Sequence, residues 1–280
     1  MPSEKTRDFA QSFLVGNPFA RIAFLRRTGW YGREDHDTIK LFTDRTERNA
    51  VTMKAPTSTI PMDRMVSIHE PGISILEVPL VKATPKSIKG YAKIEASFED
   101  AEVEIVVWPQ PGWRPVVAGT GNEGGITQGD FDMRRAGELM YAYNHAVNGY
   151  YVTGWFADPA SASEDKEPAD RSKILVREAN YHPDGSQVFF PRNGAPFVAL
   201  LALPGDDVKL SDFVAFYCDG SFGINLHPGV WHQPVFPIHD SASFDDKQGK
   251  VHACIAVDFV SEFGTYLAVP LQSTDRDTRE

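Results

Sequence analysis

The chain has 280 residues, of which 42% are hydrophobic and 24% are charged, and its formal net charge at pH 7 is −10. This length predicts one large or two modest domains. The negative charge disfavours binding to nucleic acid or to an anionic membrane surface. No stretch of the sequence is long and apolar enough to predict a transmembrane helix.

Features near the N-terminus and the two cysteines bear on the cellular compartment. Residues 1–8 lack the apolar run of a secretory signal, so we expect a cytoplasmic protein. Cys218 and Cys254 are isolated, without the spacing of a metal or redox motif. They are expected to be buried thiols in a reducing compartment, with a single disulfide between them as the alternative.

The predicted secondary structure is mostly β. Residues 72–78 favour a strand, and the alternation of charged and apolar residues at 102–108 predicts a half-buried strand. The local pattern of residues 132–147 favours a helix. Short apolar runs separated by Pro and Gly predict further strands at residues 198–203, 213–218, 251–259 and 266–271. This punctuation is typical of a β-sandwich or barrel.

Two short polar segments, residues 178–191 and 224–234, carry the side chains with the most useful chemistry. Asn180 and His182 are two residues apart and would share one face of a strand, which Gln187 could rejoin after the turn at residues 183–185. In the second segment a Pro-Gly turn precedes His232. Histidine titrates near neutral pH and suits proton transfer. The pattern therefore predicts a pocket that contains two imidazoles and two amides.

The same segments resemble the two motifs of a known family. Cupin barrels carry a His-x-His pair followed by a Glu, and then a Pro-x-Gly-x-x-His motif; here Asn180 and Gln187 stand at the first His and the Glu positions. Residues 182–187 (HPDGSQ) and 229–234 (GVWHQP) resemble the ureidoglycolate lyase family of the cupin superfamily. Weaker likeness extends upstream to about residue 78.

The resemblance implies a fold and a domain organisation. We expect a mainly β, cupin-like double-stranded β-helix, or jelly-roll barrel, over residues 78–272. Residues 1–77 would form an N-terminal extension that is packed on the barrel and adds strands. Residues 273–280 would form a flexible tail. The resemblance also places the polar end of residues 132–147 on a strand beside the pocket, although the local pattern there favours a helix.

The resemblance also implies an activity. It would be carbon–nitrogen cleavage of ureidoglycolate, or of a related ureido or carbinolamide hydroxy acid, to glyoxylate and urea or an amide, as in allantoin degradation within purine catabolism. The partner would be a small anionic hydroxy acid, and the protein would be a homodimer. The expected catalytic residues are His182, His232 and Gln187, and those expected to bind substrate are Asn180, Asn225, Trp231, Arg192 and Asp258. Of the remaining histidines, His227, His239 and His252 are expected at the surface or at a sheet edge.

The need for a metal stays open in the sequence. His182, Gln187 and His232 can form a neutral ligand set, which would bind a divalent metal only weakly. Two alternative functions follow from the cupin layout. One is a metal-dependent cupin oxygenase or isomerase, which needs a stronger ligand set, and the other is a non-catalytic cupin that binds small acids.

Overall fold

A computed structural model describes residues 38–40, 52–54, 65–107, 112–121 and 123–272. Strands dominate these residues and form two large sheets, of seven and ten strands, and one small two-stranded sheet. Strands are numbered in chain order. The small sheet pairs β1 (Thr38–Lys40) with β2 (Thr52–Lys54). The mainly β, cupin-like fold expected from the sequence is confirmed.

The seven-stranded sheet carries both polar segments. In spatial order its strands are β18 (Ile255–Asp258), β10 (Glu178–Tyr181), β15 (Trp231–His232), β12 (Phe197–Ala202), β13 (Val214–Cys218) and β4 (Leu80–Lys82), with β16 (Phe236–Pro237) also paired to β12. All six residues of β12 are buried, as its apolar sequence predicts.

The ten-stranded sheet faces the first sheet and supplies the other wall of the core. In spatial order its strands are β3 (Ser74–Glu77), β19 (Thr265–Pro270), β9 (Lys173–Val176), β8 (Gly149–Trp155), β7 (Leu139–Asn144), β6 (Glu123–Ala136), β17 (Ser241–Val251), β11 (Gln187–Pro191), β14 (Gly223–Leu226) and β5 (Ala92–Glu95). The two sheets pack through large apolar side chains, for example Phe197 against Phe244 with ring centroids 5.2 Å apart. One short helix, α1 (Phe259–Phe263), follows β18.

Two local predictions are wrong. Residues 132–147 do not form a helix, because β6 and β7 pair as an antiparallel hairpin; the strand implied by the resemblance near Asn144 is confirmed. The segment predicted as a strand at residues 102–108 makes only one isolated bridge among its described residues, between Ile105 and Gly185.

Part of the expected N-terminal extension joins the larger sheet, and both cysteines are in the reduced form that the sequence predicts. β3, within the expected N-terminal extension, pairs in parallel with β19 and so adds an edge strand to the larger sheet. The rest of that extension lies mostly outside the described residues, as does the tail expected at 273–280. Cys218 and Cys254 are both buried and free. No helix within the described part of the chain is long and apolar enough to cross a membrane.

Candidate active site

The two polar segments of the sequence meet on neighbouring strands. β10 and β15 are antiparallel, and Asn180 lies directly opposite His232. His182 follows β10 at the start of its turn, while Gln187 opens β11 on the facing sheet. These four side chains line one cavity of about 400 Å³ between the sheets. The pocket predicted from the motif spacing is therefore present, although the catalytic roles of these residues stay predictions.

Two imidazoles lie close together in this cavity. The ring centroids of His182 and His232 are 5.1 Å apart. The Nδ1 atom of His182 is 3.0 Å from the carbonyl oxygen of Ala253, and the Nδ1 atom of His232 is 2.8 Å from that of Val230. A carbonyl oxygen can only accept, so each Nδ1 carries the hydrogen and each Nε2 keeps a lone pair. Both rings are therefore held as neutral bases.

Burial keeps these imidazoles neutral. Removal from water lowers the pKa of His232 to about 3, with a further contribution from the neighbouring His182. It also lowers the pKa of His182. A charged imidazolium is disfavoured in an environment that cannot solvate it. An anionic ligand placed beside the rings would reverse this effect and make them better proton acceptors.

A third histidine, His252, joins the cluster, and its expected place at the surface is wrong. It is only 7% exposed, lines the cavity, and has its ring centroid 4.5 Å from that of His182. Its Nε2 accepts the backbone N–H of Gly249 at 2.6 Å, so its hydrogen lies on Nδ1, which is buried without a hydrogen-bond partner. Burial, followed by the two nearby histidines, lowers its pKa to about 2.

Gln187 is held by buried polar side chains on the neighbouring strand. Its Nε2 donates to Asp246 Oδ1 and to Gln248 Oε1, both at 2.8 Å. Asp246 is fully buried, and desolvation raises its pKa to about 7 despite hydrogen bonds from Gln187 and Asn144. Asp246 was not predicted as part of the site, because polar residues that alternate along β17 are typical of a solvated strand face.

Two of the residues expected to bind substrate, Asn225 and Trp231, are packed near the cavity but do not line it. The Nδ2 atom of Asn225 donates to the side chain of Glu95 at 3.2 Å and to the carbonyl oxygen of Glu102 at 2.8 Å. Trp231 is fully buried and donates from Nε1 to the carbonyl oxygen of Gly205. Neither side chain is part of the cavity lining.

The two charged residues expected to bind substrate are held in ion pairs away from the cavity lining. Arg192 binds Asp245 at the surface. Asp258 is paired with Arg177 at 2.9 Å and accepts backbone N–H groups at the start of α1. Their charges are thus committed to other groups, and Asn180 is the one residue of the expected substrate-binding set that lines the cavity.

The donor set does not fit a resident divalent metal. His182 and His232 each offer one Nε2 lone pair, and Gln187 can add only an amide oxygen. The Nε2 lone pair of His252 is already used by the backbone N–H of Gly249. No group of three or more His, Cys, Asp or Glu side chains within the described ranges is arranged to hold a metal ion. A neutral set of this kind binds divalent ions weakly. The imidazole and amide groups themselves are the chemistry that the cavity offers.

Charge around the cavity is sparse. Among the described residues that line it, Lys250 is the only permanently charged cation, and Glu178 is the only carboxylic acid. Apolar and aromatic side chains such as Phe131 and Phe189 form part of the remaining wall. The cavity suits a small, polar, singly charged ligand better than a large apolar one.

Comparison with known proteins identifies the region that carries this site. Residues 160–259 match the family model described as ureidoglycolate lyase. Curated relatives named ureidoglycolate lyase, from Salmonella enteritidis and Salmonella newport, are 46% identical to this chain over 63 residues. That stretch is 22% of this chain and 39% of each relative, so the alignment spans about two fifths of the relatives' length. The resemblance seen in the two motifs is confirmed for this part of the chain.

Proposed function

We propose that this chain is a ureidoglycolate lyase-like carbon–nitrogen lyase that converts ureidoglycolate, or a related ureido or carbinolamide hydroxy acid, to glyoxylate and urea or an amide. The observation that carries the proposal is the pair of neutral imidazoles, His182 and His232, which line one cavity between the sheets. Neither Nε2 lone pair is bonded to the backbone, and that of His182 accepts only from Asn180 Nδ2, at 3.3 Å. The matched family and relatives are lyases by name, which favours a lyase over an oxygenase, an isomerase or a non-catalytic cupin.

The reaction needs a base at the substrate hydroxyl and an acid at the departing nitrogen. An imidazole Nε2 removes the hydroxyl proton, and the oxygen electrons form the new C=O bond. The C–N bond breaks, its electron pair goes to the urea nitrogen, and that nitrogen takes a proton. Atoms balance without water, so the step is an elimination and not a hydrolysis.

The hydrogen positions favour one histidine for both proton transfers. Because each Nδ1–H is committed to a backbone carbonyl, neither imidazole of the resting site has a proton to give from Nε2. The imidazole that accepts the hydroxyl proton therefore becomes the acid that delivers it to nitrogen. The substrate carboxylate near the rings raises the low imidazole pKa and makes this transfer easier. The second imidazole then orients the substrate.

Other parts of the proposal rest on the resemblance and on composition. They are a cytoplasmic location, a homodimer, and a place in the breakdown of allantoin within purine catabolism. Lys250 is the group best placed to balance the charge of the substrate carboxylate, since it lines the cavity.

The first test is product analysis with purified protein that has been dialysed against chelator. We expect ureidoglycolate to give urea and glyoxylate in equal amounts, with metal analysis of the same sample showing less than stoichiometric metal. Release of ammonia in place of urea would contradict an elimination. Turnover that returns only with near-stoichiometric iron or manganese would favour the metal-dependent cupin, and binding of hydroxy acids without turnover would favour the non-catalytic one.

A further inference from the structure

A chain of hydrogen bonds in the cavity wall begins at the backbone N–H of Ala146, which can only donate. The N–H of Ala146 donates to Asn144 Oδ1 at 2.9 Å. The other end of that amide, Nδ2, must therefore donate, and it points at Gln248 Oε1 (3.1 Å) and Asp246 Oδ2 (3.4 Å). Asn144 is 3% exposed, so the amide cannot exchange these partners for bulk water.

The orientation of the Asn144 amide also determines which end of each glutamine amide donates and which accepts. Gln248 Oε1 accepts from Asn144, so it must also accept from Gln187, whose Nε2 lies 2.8 Å away. Gln187 uses its second N–H on Asp246. Turning either glutamine amide over would set two donors or two acceptors against each other in a buried site, which is costly.

These hydrogen bonds leave one polar atom of each glutamine side chain free to bind a ligand in the cavity. Gln187 retains its oxygen, Oε1, and Gln248 retains its NH2 group, Nε2. Both side chains line the cavity, and they lie opposite each other in the register of β11 and β17. Neither atom is buried without a hydrogen-bond partner, as is expected of atoms that face an accessible space.

We propose that Gln187 and Gln248 together recognise the carboxamide end of the substrate. Gln187 Oε1 accepts an N–H of the terminal NH2 of the ureido group, and Gln248 Nε2 donates to its carbonyl oxygen. Asp246 and Asn144 act as positioning residues, because they fix which way the two amides face. The inference deepens the proposed function, on which it rests for the rest of the substrate, and it defines the substrate class as hydroxy acids that carry a terminal carboxamide.

Two unreactive ligands of nearly equal shape test the recognition directly. N-carbamoylglycine carries the ureido group and a carboxylate but has no hydroxyl to lose; N-acetylglycine replaces its NH2 group by a methyl. We expect calorimetry to show that the full-length protein binds N-carbamoylglycine about tenfold more tightly or better, since one hydrogen bond and one satisfied acceptor are lost with N-acetylglycine.

Variants separate the two glutamines. Gln248→Glu keeps the oxygen that Asn144 and Gln187 need but removes the donor, so both ligands should weaken by about tenfold while their ratio is kept. Gln187→Met removes the acceptor and should bring the ratio close to one. Gln128→Glu makes the same chemical change on an exposed position outside the cavity lining and should bind both ligands as wild type does.

The outcomes distinguish this inference from the proposed function. Equal binding of the two ligands by wild type, no binding of either, or unchanged binding by Gln248→Glu would overturn the recognition by the glutamines. If Gln187→Met does not fold, the Gln248→Glu result and the wild-type ratio still decide. A protein that discriminates the ligands but does not cleave ureidoglycolate refutes the proposed function and leaves this inference standing, and the converse result does the opposite.

Discussion

The stability of the protein should fall steeply with acid because buried histidines are held neutral. His252 is 7% exposed, and burial lowers its pKa to about 2. In the unfolded chain the same imidazole has an ordinary pKa near 6.5. Between these two values the unfolded state binds a proton that the folded state does not, so lowering the pH favours unfolding.

The expected size of the effect follows from these two pKa values. Between pH 7 and pH 5 the unfolded chain gains about 0.7 of a proton at residue 252, and the folded chain gains almost none. The free energy of unfolding should therefore fall by about 2 kcal/mol through this residue alone. The contribution is absent well above pH 6.5 and grows as the pH falls towards the folded-state value.

Urea denaturation at pH 7 and pH 5 measures this contribution. His252→Gln can keep the bond from the Gly249 N–H, because the Gln side-chain oxygen can take the place of Nε2, but it cannot titrate. The variant should lose about 2 kcal/mol less stability than wild type between the two pH values. His239→Gln, at an exposed position, is the matched control and should keep the wild-type difference. Equal acid sensitivity of wild type and His252→Gln would refute the assignment of His252 as a buried neutral imidazole.

Two more predictions concern charged groups. Because the pKa of Asp246 is raised to about 7, the folded protein loses stability as the pH rises through that value. Urea denaturation should show that wild type loses about 1 kcal/mol of unfolding free energy between pH 6 and pH 8 that Asp246→Asn does not lose. An equal change in unfolding free energy in both proteins would contradict this. Arg177→Met removes the guanidinium that is paired with the largely buried Asp258 and should cost about 3 kcal/mol of unfolding free energy. Arg192→Met, at a more exposed pair, should cost less than about 1 kcal/mol. Equal losses in thermal or urea unfolding would show that burial does not govern these pairs.

The parts of the fold that sequence predicts well are those whose local pattern and tertiary role agree. The apolar run at residues 198–203 reads as a buried strand and forms β12, with both faces covered. The alternating run at 102–108 fails, because a neighbouring turn takes up its backbone groups: Glu104 N–H donates to Ser186 Oγ, and Ser186 N–H donates to the Glu104 carbonyl. Residues 132–147 fail for a related reason, since strand pairing with β17 and within the hairpin outweighs local helix propensity.

Some residues of the candidate site could be predicted from the sequence, and others could not. Motif spacing brings His182 and His232 together, because His182 directly follows β10 and His232 lies on β15, which pairs with β10 opposite Asn180. Spacing cannot reveal that His252 reaches the cavity from the segment after β17, or that Asp246 lies behind Gln187 with no exposure. Both depend on which face of a distant strand meets the core, and an alternating polar strand does not specify that face when one of its polar residues is buried.

Turnover by two histidine variants tests the central claim most directly. His182→Asn and His232→Asn can each keep the hydrogen bond to the backbone carbonyl, because the Asn amide can take the place of Nδ1–H, but neither has a basic Nε2. With ureidoglycolate, at least one variant should lose about 100-fold or more in kcat while keeping its folded circular dichroism spectrum. Full wild-type kcat in both folded variants would contradict the account.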